Sequence, residues 1–169
     1  MNFLDLFPTI DLFILFLFVA VIVLHLVFIK KSKLLVCLLS VYTSFVLLVI
    51  VPLFSSQTLV WLQSHPYMRT TAFVGLIVLL YVLLLFSNLA EFSKNISPTK
   101  FSTSLVYRIA ITGLSFSTVL YFLPESLTAN FGTLTNLLFL NLIALVIWFT
   151  IPLFLAFAFK FKTRRGWIE

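Results

Sequence analysis

Few residues in this chain carry chemistry: two histidines, one cysteine and five acidic residues among 169. His25 stands five residues before Lys30, at the end of a long apolar run. An imidazole there can relay protons or bind a ligand. It can equally reach a headgroup layer or hydrogen-bond a neighbouring helix, and no sequence neighbour completes a relay. Tyr81, Asn88 and Glu91 fall broadly on one face of a helix, because seven residues make close to two turns. An acid inside an apolar span is a candidate ion-pathway carboxylate. Glu91 is also three residues from Lys94, which fits a wet surface pair. Arg108 begins the most polar of the apolar runs, followed by Thr112 and Ser115. An arginine at mid-bilayer costs about 2.5–3.5 kcal/mol on insertion scales. Near a span end its stem can bend back to water or phosphate, which removes most of that cost. The sequence reading puts headgroup anchoring first, a cross-helix pair with Glu91 second and a substrate contact third. Tyr81, Asn88, Glu91, Arg108, Thr112 and Ser115 are the residues from which a polar path or a set of interhelical contacts would be built.

No catalytic constellation emerges. His25, His65, Cys37 and the acids lack metal-ligand spacing, so no metal site and no cofactor are expected. Four glycines and one cysteine exclude a glycine-rich nucleotide loop system and a disulfide scaffold. Asp5, Asp11, His65 and Glu125 fall on one side of the expected topology, where they could converge, though nothing in the sequence prefers that to solvated loops. His25 with Glu91 is the only pair that a lipid-modifying membrane enzyme would use.

The elements that must position these residues follow from composition. Hydrophobic residues make up 62% of the chain, charged residues 9%, and the mean hydropathy is +1.20. Soluble domains carry about 25% charged residues. A water-soluble globule of this size cannot hide so much apolar surface. A soluble enzyme and a nucleic-acid-binding domain are excluded, and an integral membrane protein is selected. A membrane helix needs roughly 20 apolar residues to cross ~30 Å of hydrocarbon at ~1.5 Å per residue. Five segments qualify, at about 10–29, 34–54, 71–89, 104–123 and 134–159. The expected architecture is an all-α, five-helix membrane bundle, with residues 1–169 as one domain. The first two spans form a hairpin across Lys30-Lys31-Ser32-Lys33. Residues 55–70 form a longer connection dipping into the interface, with Trp61 and Tyr67 at headgroup level. The fifth span is long enough that a tilt, a kink at Pro152 or a protruding end is expected.

Small and hydroxylic residues mark packing faces. Cys37, Ser40 and Ser44 share one face of span two. Ala110, Gly113 and Ser117 share one face of span four, and Gly113-x-x-x-Ser117 is a small-x-x-x-small pattern that lets helices approach closely. Asn141 on span five is expected to hydrogen-bond another helix.

Charge sets the orientation. One set of alternating ends holds ten of the eleven Lys and Arg residues, and the other holds only Arg69. Cytoplasmic loops carry the excess of Lys and Arg. The N-terminus is therefore expected outside and the C-terminus inside. Lys30, Lys31, Lys33, Arg164 and Arg165 would then meet anionic lipid headgroups, at about 1 kcal/mol each when close to the surface.

The layout over about residues 3–123 resembles the colicin V production protein family of small bacterial inner-membrane proteins. The resemblance rests on FLDLFPTIDLFILF at the N-terminus, the basic hairpin loop IKKSK, the third apolar span RTTAFVGLIVLLYVLLLF and the polar fourth helix RIAITGLSFSTVLYF. The family usually has a basic-glycine element after the first span, whereas KKSK has no glycine, and the fifth span is extra. The resemblance implies an inner-membrane protein linked to secretion or envelope processes, with no assigned chemistry. The expected role is a non-enzymatic scaffold or subunit of an envelope assembly, partnered by lipid and by other membrane subunits or further copies of itself. A small oligomeric channel or transporter is the alternative, and a lipid-modifying enzyme the third reading.

Overall fold

The computed structural model describes residues 9–65, 67–95 and 101–158, all in helices and short connections with no strand among them. Helix α1 (Thr9–Phe28) is followed by a single 3-10 turn at Lys31–Lys33 and then α2 (Leu34–Phe54). A short helix α3 (Ser56–Ser64) leads to α4 (Met68–Leu85) and α5 (Asn88–Asn95). Helix α6 (Phe101–Tyr121) runs back, and one turn, α7 (Glu125–Thr128), connects it to α8 (Thr133–Leu140) and α9 (Leu142–Ala158). Among the described residues four helices are long and apolar enough to cross a membrane, and α8 with α9 makes a fifth if that bent pair is one span.

The most polar long helix is the most enclosed. Helix α6 is in contact with α1, α2, α4 and α9, and α2 packs extensively along α4. One core cluster joins Leu34, Cys37, Leu38 and Val41 of α2 with Phe73 of α4 and Tyr107, Ile111 and Leu114 of α6. A second joins Ile14, Phe116, Leu120 and Phe139. Phenylalanine builds much of it, with the Phe18 and Phe139 rings 5.0 Å apart and Phe116 and Phe139 5.1 Å apart in edge-on geometry. Such tilted pairs suit the quadrupole of the rings. The outward flanks of α1, α4 and α9 carry Phe13, Phe16, Val78, Leu79, Leu83, Leu142, Ile143 and Phe154, all exposed. An interior this small cannot enclose so many large apolar side chains, so they form the perimeter.

Helix ends depart from the sequence reading in three places. The connection at 55–70 is itself partly helical: Ser55 caps α3 by accepting from the Thr58 amide at 3.3 Å and from its hydroxyl at 2.9 Å. Span three does not run on to residue 89. Helix α4 tightens at Phe86 and Ser87, whose amides bond three residues back, and the Ser87 hydroxyl then accepts from Leu89 N at the start of α5. Asn88 and Glu91 therefore sit on a different helix from Tyr81.

The fifth span is also broken, and not at its proline. Pro152 lies buried within α9. The bend, 45°, falls at Asn141, where the chain is extended after a π-helical stretch at Asn136–Leu140. The physical reason is that the carbonyls freed at the break find other donors. Ser117 of α6 donates to Phe139 O at 2.5 Å, and Trp148 Nε1 donates to Leu138 O at 2.8 Å. Asn141 caps the resumed helix, its Oδ1 accepting from Ile143 N at 3.2 Å.

Candidate functional site

Two polar centres lie at opposite ends of α6. The first gathers where α1 ends and α2 begins. Arg108 comes from the second turn of α6, and a helical side chain leans toward the N-terminus of its helix. That lean carries the guanidinium past Ser104, whose Oγ accepts from Nε at 3.4 Å, to the carbonyl of His25, which accepts from Nη1. Arg108 is only 4% exposed. His25 projects from α1 toward α2, with Nε2 3.5 Å from the Cys37 sulfur. Four buried or half-buried groups from three helices thus meet: Arg108, Ser104, His25 and Cys37. The neighbouring Tyr107 hydroxyl, Thr112 Oγ1 and His25 Nδ1 are buried with no partner among the described residues.

This geometry leaves Arg108 without the expected cross-helix pair to Glu91. The guanidinium is buried, and its hydrogen bonds go to a carbonyl and a hydroxyl. Glu91 and Asn88 are exposed on α5. Tyr81 is half-buried against the first core cluster. Ser115 spends its hydroxyl on Ile111 O at 2.9 Å. Of the six residues, only Arg108 and Thr112 share a buried face, one helical turn apart on α6. His25 meets Cys37, not Glu91.

The second centre has no signature in residue spacing. Asp11 is not a solvated loop residue but is fully buried. Its Oδ1 accepts from Gly132 N at 2.9 Å and from the Thr135 hydroxyl at 2.6 Å, while Oδ2 accepts from Leu134 N at 3.1 Å. The carboxylate of α1 therefore caps the N-terminus of α8 from across the bundle. The orphan amides and positive dipole end of a helix start are suited to that charge. The signal available in the sequence was Asp11's position inside the apolar run, where a carboxylate is costly unless something receives it.

The packing residues fall as follows. Ser40 and Ser44 are fully buried, and their hydroxyls donate to Cys37 O at 2.7 Å and Ser40 O at 2.6 Å. Such back-bonding hides a hydroxyl within its own helix and leaves a small, apolar-like surface. Gly113 lies under the Trp148 ring so closely that a Cβ there would overlap it. Ser117 reaches the broken segment as described. Asn141 caps its own helix instead of bonding another. Lys30 and Lys31 are exposed, and the Lys31 ammonium lies 5.6 Å from the Phe101 ring centre at the start of α6. A buried Ser93 hydroxyl donates to Ser32 O and ties α5 to the same loop. Asp5, the Lys94 side chain, Arg164 and Arg165 lie outside the described residues.

Among the described residues no cluster of three or more His, Cys, Asp or Glu could hold a metal ion. No family model matches the chain, and neither the curated proteins nor the solved structures searched contain a match.

Proposed function

We propose that this chain is a multi-pass inner-membrane protein that serves, without catalysis of its own, as a scaffold or subunit of a bacterial envelope assembly. The N-terminus and the Asp11 end lie outside, and the lysine loop and C-terminus lie inside. One observation carries the reading: most serine and threonine hydroxyls of α2 and α6 that lie inside the bundle are spent on the chain's own backbone. The hydroxyls of Ser40, Ser44, Ser115, Ser117 and Thr118 all donate to carbonyls. Asn88 and Glu91 stand apart from Arg108 and Thr112, so the six path residues form no common lining. Lipid hydrocarbon suits the apolar perimeter. The expected secretion or envelope role draws support from the resemblance in layout and from loops too short to hold a soluble domain.

The test is purification from native membranes in mild detergent after in-cell crosslinking. A defined membrane partner, or a discrete oligomer retained through purification, supports the reading. A monomer without partners overturns it. The rival, a small oligomeric channel or transporter, draws on the broken fifth span, since interrupted helices line many transport sites. Here Ser117 and Trp148 already occupy two carbonyls at the break. Solute flux through reconstituted vesicles, abolished by Glu91→Ala, would favour the rival.

A further inference from the structure

A buried guanidinium needs an anion, and Arg108 has none among the described residues. Its two hydrogen bonds leave the positive charge unneutralised. Of the carboxylates among the described residues, Asp11 is committed to α8 at the opposite end of the bundle, and Glu91 and Glu125 are exposed. The guanidinium thus keeps a donor nitrogen, Nη2, with no acceptor among the described residues. Elsewhere on α6, Tyr107 and Thr112 carry buried hydroxyls without partners among the described residues. An isolated buried charge is so costly that proteins pair it, bind an ion to it or discharge it. The guanidinium fork matches the oxygens of a phosphate in pairs.

Position narrows the ligand. Arg108 bonds the last turn of α1 and the first turn of α6, one to two turns below the ends of both helices. Lys30 and Lys31 are exposed in the connecting loop, and Lys31 is anchored over Phe101 at the mouth of α6. A basic rim around a buried cation draws anions inward.

We infer that the α1–α6 junction is a phosphate-binding site, with Arg108 as its central ligand and the Lys30–Lys31 rim guiding the anion to it. In a bilayer the phosphate nearest this depth belongs to a lipid headgroup, and a free phosphate ion offers the same chemistry. The site differs from diffuse headgroup attraction in holding a single phosphate at a defined residue. It rests on the chain lying in a membrane but not on its having protein partners.

The experiment uses the full chain with Arg108 as its sole arginine (Arg69→Lys, Arg164→Lys, Arg165→Lys), labelled with 15N-arginine and reconstituted into bilayers. Solid-state NMR then measures dephasing of the guanidinium 15N signal by 31P. Dephasing at hydrogen-bonded range in phosphatidylglycerol bilayers supports a lipid phosphate. Dephasing in bilayers of galactosyl diacylglycerol, only after inorganic phosphate is added, supports the site and assigns it to the free ion. No dephasing in either sample, from a chain that co-sediments with the vesicles, overturns the proposal. A chain that fails to associate with vesicles at all would instead overturn the membrane reading. Lipid retention gives a second measure: Arg108→Gln is expected to lower the phosphatidylglycerol retained after detergent exchange at least tenfold, and Lys30→Gln with Lys31→Gln only a few-fold. Equal retention by Arg108→Gln and the parent chain overturns a lipid phosphate as the occupant of the site.

Discussion

Asp11 shows what one acid can do when helices are otherwise held by apolar contacts. Three donors converge on its carboxylate, two of them amides that no helix can satisfy internally. Hydrogen bonds to a charged acceptor are worth about 1.5–3 kcal/mol. Asp11→Asn keeps the shape but removes the charge and turns an acceptor into a donor facing an amide. The variant is expected to lose about 2–3 kcal/mol, read as a fall in thermal midpoint in detergent. Thr135→Val removes one of the three bonds and is expected to lose about 1 kcal/mol. Equal midpoints for Asp11→Asn and the parent protein would refute the cap. The sequence showed that Asp11 was present but not that a partner lay 121 residues away. His25, Cys37 and Arg108 were equally visible as residue types, yet their meeting depended on how α1, α2 and α6 lie together.

Two glycines separate packing from propensity at the scale of elements. A Cβ at Gly113 would overlap the Trp148 ring, whereas one at Gly75 meets nothing within 4 Å. Gly113→Ala is therefore expected to destabilise the protein by about 1–3 kcal/mol through overpacking. Gly75→Ala is expected to be neutral or to stabilise it by up to about 1 kcal/mol through helix propensity. Trp148 emission, shifted by Gly113→Ala and unchanged by Gly75→Ala, provides the spectroscopic check. The small-x-x-x-small spacing pointed to a close approach on this face, though not to an indole as the partner. The bend of the fifth span follows the same logic. If Ser117 and Trp148 hold the freed carbonyls, Ser117→Ala with Trp148→Phe should broaden the distance distribution between spin labels at Leu134 and Phe154. The single Ser117→Ala change is expected to cost about 1 kcal/mol. An unchanged distribution in the double variant would mean that backbone geometry alone maintains the 45° break.

For the whole molecule, α6 is enclosed by its neighbours and the apolar perimeter faces outward. Cys37, the chain's sole cysteine, is buried in the first core cluster. It is expected to resist a membrane-permeant thiol reagent in the folded protein and to react fully once the protein is denatured. Rapid modification of the native chain would show that the cluster opens. With Cys37 replaced by Ala, single cysteines at Lys31 and Ser126 should label from opposite faces of the membrane, Ser126 from outside. Labelling of both from one face would overturn the orientation drawn from charge.

What residue order alone determined is the all-helical class and where the long apolar segments fall. Those properties depend on local sums: roughly 20 apolar residues in a row suit hydrocarbon wherever they occur in a fold, and four of the five segments each contain a helix of 18 residues or more. Tertiary structure alone decided where the helices break and which polar groups are satisfied. The break at Asn141 depends on donors from Ser117 and Trp148, and the fate of Asp11 depends on amides at Gly132 and Leu134. A polar atom in an apolar interior is stable or costly according to its partner across the bundle, and no local window of sequence contains that partner.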